Sequence, residues 1–286
     1  MLIFISSSGN PLAFKKELST YFPEAQYRYS TSIHNLFGHY YDASLVSREN
    51  LVKLREELEI LKTDVIYVDK LLERGNKSLF TFDMDSTLIK EEVIDELARK
   101  KGVFELVSQV TRDAMEGNLD FDSALRKRCS YLDGLSEIVF QEIFEGLTPN
   151  DGVEQVLPLI QKENGIIAIF SGGFVPVIEK FAKKFAIDLY FANTLEMTNG
   201  FTTGKVLGNI VNKNRKRDLL IEHRETNKIP VAQTVAVGDG SNDSLMLNEA
   251  GIGIGFHAKS GLKKEILNWV DYHSMLSLLF LFDLRD

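Results

Sequence analysis

A single cysteine, Cys129, stands among 286 residues, so no intramolecular disulfide and no thiolate zinc site can form, and the composition suits a reducing compartment. Cationic excess is missing as well: 33 basic residues against 41 acidic ones give −8, which favours solubility and argues against nucleic acid as the main partner. Nor is there a long apolar run. The greasiest stretch, MLSLLFLF at 275–282, falls far below the roughly 18 residues of a membrane span and is expected to be a buried element. The start, MLIFISSSGN, has no basic leader and too few consecutive apolar residues for a signal peptide, so a cytoplasmic protein with no membrane partner is expected. Neither GxGxxG nor GxxxxGK[ST] occurs, which removes the common nucleotide fingerprints.

What is present describes a folded chain: 44% apolar and 26% charged residues, at a length that suits one large domain or two unequal ones. The first 70 residues alternate apolar LIFIS, helical PLAFKKELSTYF, extended AQYRYS and YDASLV, a second helix RENLVKLREELEILK with Leu51, Leu54, Leu58 and Leu61 at helical spacing, and extended DVIYVD. Strand, helix, strand, strand, helix, strand predicts a small α+β ferredoxin-like sandwich. The ERGNK segment around Gly75 is the expected linker, dividing the chain into units 1–72 and 73–286.

From Leu79 the pattern changes to α/β. SLFTFD, GIIAIF, LYFAN and TVAVGD are apolar runs ending in polar or glycine residues, as buried parallel strands do where they emerge at their carboxyl ends. Ligands of open α/β sheets bind at those ends. Between Lys90 and Pro149 lie helical, charge-rich stretches with few strand signals, which predicts a helical cap inserted at about 92–148.

Four elements at strand exits carry chemistry. Asp83 and Asp85 follow SLFTF two residues apart, and the period of a strand can bring both to one side. Asp83 can attack phosphorus while a protonated Asp85 gives its proton to the leaving oxygen; the same pair can hold a hard cation or simply line a solvated turn. GIIAIF runs into Ser171, Gly172 and Gly173 ahead of a helix, and strand, tight turn and helix start would form an anion pocket. TVAVGDGSNDSLML delivers Asp239, Asn242 and Asp243, with Asp239 placed to join Asp83 around one Mg²⁺ and the other two able to orient ligands. Lys216, within KNRKRD, is the candidate cation for charge developing on phosphoryl oxygens, or one residue of a solvated basic run. The order DxD, SGG, Lys, GDGSND is far more specific than any one of them.

In that order FDMDSTLI, SGGF, the Lys of NRK and VGDGSND resemble the four motifs of the haloacid dehalogenase superfamily; AMEGNLDF, ALRKR and EEVIDELA are similar, more narrowly, to its phosphoserine phosphatases. The resemblance spans roughly 79–271. It implies a Rossmann-like core with a helical cap, Mg²⁺ dependence, and hydrolysis of O-phospho-L-serine as the last step of serine biosynthesis. Residue by residue it implies Asp83 as nucleophile, Asp85 as acid/base with its carbonyl also on the metal, Ser171 and Gly172 on phosphate, Lys216 as the motif's lysine, and Asp239 as metal ligand. Asn242 would touch substrate, and Gly173 and Asp243 would support. Glu92, Met115, Phe121 and Arg128 match the positions that hold the amino-acid end, with Glu92 suited to an ammonium and Arg128 to a carboxylate. Lys90 departs from the pattern. Longer family members carry an ACT-like domain before the core, a module through which a homodimer is expected.

The alternatives at this level are the same chemistry on another small phosphomonoester or with an alcohol as acceptor, a binding module whose acids only hold a metal, and an amino-acid sensor built on the N-terminal unit.

Overall fold

Every residue of LIFIS is buried, and this strand, β1 (Leu2–Ser6), lies inside a four-stranded antiparallel sheet of the computed structural model. The structure describes residues 1–44, 46–115, 117–187 and 189–285, with Met115 described by its backbone alone. After β1 come a 3-10 turn and α1 (Lys15–Tyr21), β2 (Gln26–Ile33), β3 (Leu36–Asp42), α2 (Arg48–Glu57) and β4 (Asp64–Tyr67). The sheet order is β2-β3-β1-β4, every neighbour antiparallel, which is a ferredoxin-like arrangement.

Two details differ from expectation. β3 lies upstream of most of YDASLV, because pairing of Leu2 with Tyr41 through Ser6 with Phe37 puts Leu36, Tyr40 and Tyr41 on buried positions; Leu45 of that segment lies outside the described residues. Helix α2 stops at Glu57, and the left-handed Lys62 (φ 47°) turns the chain toward β4, so Leu51, Leu54 and Leu58 are buried while Leu61 is not.

The second sheet starts at β5 (Ser78–Phe82). Four helices follow, α3 (Val93–Lys101), α4 (Phe104–Met115), α5 (Phe121–Ser130) and α6 (Ile138–Gly146), which form the expected insertion. The chain continues through α7 (Val153–Lys162), β6 (Gly165–Phe174), α8 (Val175–Lys184), β7 (Leu189–Thr198), β8 (Phe201–Leu207), α9 (Lys213–Thr226) and β9 (Thr234–Gly238). It ends with α10 (Ser244–Glu249), β10 (Ile252–Phe256), α11 (Ser260–Glu265), β11 (Asn268–Val270) and a buried 3-10 run at Met275–Leu281, the expected fate of MLSLLFLF. Strand order is β11-β10-β9-β5-β6-β7-β8, parallel throughout except for β8. The order reverses at β5, with β6 on one side and β9 on the other, so a crevice opens at the carboxyl ends of these three strands.

The insertion is anchored by a short ribbon. Ile89 bridges to Pro149, the Lys90 N–H donates to Thr148 O at 2.9 Å, and the Asn150 side-chain amide donates to the carbonyls of Thr87 (2.8 Å) and Ile89 (3.1 Å). The N-terminal sheet is docked as firmly. Asn268 uses its side chain as a strand would, donating to Tyr67 O and accepting from Tyr67 N, and so joins β4 to β11. Arg55, fully packed, donates to the carbonyls of Val65 and Leu267 and lies 4.0 Å from the centre of the Trp269 ring. Among the described residues no helix is long and apolar enough to cross a membrane.

Candidate active site

Strand β5 stops at Phe82, so Asp83 and Asp85 lie just beyond it, in a turn that the left-handed Ser86 (φ 57°) closes. Between them Met84 is wholly buried, which sends the two carboxyls back into the crevice. Asp83 Oδ1 accepts the Met84 N–H (2.7 Å) and meets Lys216 Nζ at 2.9 Å. Asp85 Oδ1 accepts the Val93 N–H at the start of α3 (2.9 Å), tying this carboxyl to the cap. Burial, then the negative charges of Glu92 and Asp83, push Asp85 well above the usual carboxylate range, the state needed in a proton donor.

Lys216 comes from the first turn of α9, and packing leaves it no exposure, which decides against a solvated basic run. Its ammonium lies 2.7 Å from Asp243 Oδ1 as well as 2.9 Å from Asp83. Burial alone would lower its pKa, but Asp243 and Asp83 outweigh that and hold it above the ordinary lysine value. Asp243 also accepts the Gly240 N–H (3.1 Å), and burial together with Asp83 pushes it up to about 8 against the pull of Lys216. At the end of β9, Asp239 is pushed up by burial to about 6, against the Lys259 ammonium 2.8 Å from its Oδ2.

Ligand oxygens of Asp83, Asp239 and Asp243 all lie within 4.8 Å of one another, and all three residues are buried. Three converging buried carboxylates with an all-oxygen donor set fit a hard divalent cation, which would relieve their mutual repulsion. The Asp85 side chain is not part of that group of three; it faces Gly173 instead.

Around SGGF the expected tight turn is absent. β6 runs extended through Phe174 and α8 begins at the next residue. The glycines serve close approach: a Cβ on Gly172 would stand 3.2 Å from the Phe121 ring, and one on Gly173 2.8 Å from Asp85 Oδ2 and 3.1 Å from Ser171 Oγ. The buried Ser171 Oγ accepts the Gly173 N–H at 2.9 Å. Asn242 folds back over its own loop, a Cβ on Gly240 falling 2.5 Å from its Oδ1.

Of the cap residues, Glu92 Oε1 accepts from Ser86 Oγ (2.9 Å), and Phe121 covers Gly172. Arg128 is mostly buried, and its Nε makes no hydrogen bond among the described residues. The Met115 side chain lies outside them. Lys90 takes no part: its ammonium pairs with exposed Asp151 at 2.8 Å. Sequence reading missed Lys259, whose Nζ lies 3.2 Å from Glu92 Oε1 as well as on Asp239. The available signal was its place after IGIGF, at the end of one more parallel strand beside β9.

A family model described as haloacid dehalogenase-like hydrolase matches residues 77–251. The chain belongs to that family. The phosphoserine phosphatase of Lactococcus lactis is 38% identical over 203 residues, 71% of this chain and 94% of its relative. A hydrolase of this family from Salmonella enterica serovar Typhi shares the whole fold: TM-score 0.89, 28% identity, 100% of this chain and 99% of that one. A phosphoserine phosphatase solved as an analogue of its phospho-aspartyl intermediate matches 73% of this chain and all of its own at 36% identity, TM-score 0.68. In this haloacid dehalogenase-like chain, β5, β6, α9 and β9 each deliver one of the four sequence elements to a single crevice.

Proposed function

We propose that the chain is a Mg²⁺-dependent phosphoserine phosphatase that hydrolyses O-phospho-L-serine to L-serine and phosphate. One observation carries the chemistry: beside Asp83, whose oxygen is held by Lys216, stands a second carboxyl, Asp85, anchored by the Val93 N–H and pushed well above the usual carboxylate range by burial, Glu92 and Asp83. That division of labour is what a nucleophile and its general acid require.

Asp83 attacks phosphorus in line, the bond from phosphorus to the seryl oxygen breaks, and Asp85 gives its proton to that oxygen as serine leaves. A phospho-aspartyl enzyme results. Asp85, now a base, takes a proton from water, which attacks phosphorus and releases phosphate from Asp83. Lys216 and the Ser171–Gly172 region stabilise the phosphoryl oxygens, with Gly173, Asn242 and Asp243 shaping the site. The residues that would hold Mg²⁺ are Asp83, the Asp85 carbonyl and Asp239; when bound, the ion supplies charge neutralisation for the transferring group.

The amino-acid end of the substrate fits the cap. Arg128 offers to a carboxylate a buried Nε that has no partner among the described residues, Glu92 offers an oxygen to the ammonium, and Phe121 closes the apolar side. Only a small substrate would pass beneath the Phe121 ring. We place the enzyme in the cytoplasm, in serine biosynthesis, with 1–72 as an ACT-like unit, 73–286 as the phosphatase and the cap at about 92–148. A homodimer through the N-terminal unit would use β2, which leaves an edge of its sheet unpaired.

Phosphate release from phosphoserine, phosphothreonine and sugar phosphates, with and without EDTA, tests this. Phosphoserine should lead and EDTA should stop it. Equal turnover of sugar phosphates, or none of phosphoserine, would refute it.

A further inference from the structure

The acid cluster of the core and the acid of the cap would repel each other across the crevice. Glu92 and Asp239 come from elements far apart in sequence, and both point at the same ammonium: Lys259 Nζ is 3.2 Å from Glu92 Oε1 and 2.8 Å from Asp239 Oδ2. The backbone at Lys259 is fixed as well, its N–H donating to Asp239 O at 2.9 Å. Directly after it α11 packs so closely on the loop that follows β9 that a Cβ on Gly261 would stand 3.0 Å from Ser241 Oγ. On the cap side, Ser86 Oγ and Lys259 share Oε1 of Glu92, and no donor among the described residues lies on Oε2.

We propose that Lys259 is a positioning residue that bridges core to cap and turns Glu92 so that its second oxygen faces the ammonium of the substrate. This rests on the phosphoserine reading above. Without Lys259, Glu92 Oε1 keeps only the Ser86 hydroxyl and the carboxylate is free to swing away; the amino group of the substrate then loses its partner, while at saturating Mg²⁺ phosphoryl transfer at Asp83 keeps its groups. The bridge is half exposed, so its effect is moderate.

The test is Lys259→Met beside Lys259→Arg, assayed with O-phospho-L-serine at saturating Mg²⁺. The Met variant should raise KM roughly fivefold, with kcat falling by less, and Arg should recover most of that. Inhibition by 3-phosphoglycerate, the same skeleton with a hydroxyl in place of the ammonium, should be unchanged. In a Glu92→Gln background the Lys259→Met substitution should add nothing to KM. A fall in kcat at unchanged KM, a loss cured by more Mg²⁺, an equal weakening of 3-phosphoglycerate, or additivity with Glu92→Gln would overturn the proposal. A wild-type protein inert toward phosphoserine would instead overturn the functional reading, which separates the two failures.

Discussion

A β-carbon placed on Gly173 would stand 2.8 Å from Oδ2 of Asp85, closer than real side chains approach. Asp85 has little room to retreat, since its other oxygen is held by the Val93 N–H at the root of the cap. Gly173→Ala therefore moves Asp85, the proposed general acid, rather than the strand. Displacement of about 1 Å at a reacting group costs up to about 10²-fold. We expect kcat on phosphoserine to fall by about one to two orders of magnitude while the melting temperature drops only slightly; steady-state kinetics beside thermal melts decides.

Lys216→Met leaves Asp83 and Asp243 facing each other in a buried site with no cation between them. Breaking a buried ion pair costs about 3–5 kcal/mol. Burial already pushes Asp243 up against the pull of Lys216, so without that ammonium this carboxyl holds a proton at neutral pH and softens the loss; about 3 kcal/mol is expected in denaturant titrations of the metal-free protein at neutral pH. Turnover should fall by about 10²-fold or more, because a charge aimed at the phosphoryl group is gone.

How far the sequence disclosed this site depends on how locally each residue is determined. Asp83, Ser171 and Asp239 stand where an apolar run turns polar, and burial of a parallel strand makes that boundary visible in one dimension. Lys216 sits among four other charges in KNRKRD, and only tertiary packing selects it for burial. Lys259 was hidden more deeply: glycines alternate through IGIGF, which reads as loop, and its partner Glu92 lies 167 positions upstream. The glycines of SGGF were legible as important, but the turn expected there is absent, and close approach of Phe121 and Asp85 demands them instead. In the N-terminal unit the order of elements followed from periodicity, whereas Leu61 fitted the helical spacing and still lies outside, because the α-helix ends at Glu57 and Leu61 falls in the 3-10 turn after it.

The N-terminal unit should behave as part of the folding unit. Arg55 donates to Val65 O twice and to Leu267 O, so it caps carbonyls of both sheets' outer segments. Arg55→Met strips those carbonyls of a charged donor while roughly keeping side-chain length. We expect about 3 kcal/mol lower stability by denaturant titration, with kcat and KM for phosphoserine within about twofold of wild type for the fraction that is folded. A large kinetic defect in a stable variant would mean that the unit acts on the active site directly.

Metal and pH should be coupled through the acid cluster. In the metal-free protein, burial raises Asp239 to about 6 and Asp243 to about 8, above the ordinary 3.8 of an aspartic acid. The folded state therefore holds protons that the unfolded chain has released, and stability must fall as pH rises from about 4, with the full penalty reached above about 8. A divalent ion takes the place of those protons. Binding should release them and tighten as pH rises through about 6 to 8, and at 100-fold excess over its Kd the ion adds about 2.7 kcal/mol. Thermal melts from pH 5 to 9 with EDTA should slope downward, and the same series in Mg²⁺ should be flatter and a few degrees higher at the alkaline end. Parallel curves with and without the ion would show that it does not bind at Asp83 and Asp239 beside this acid cluster.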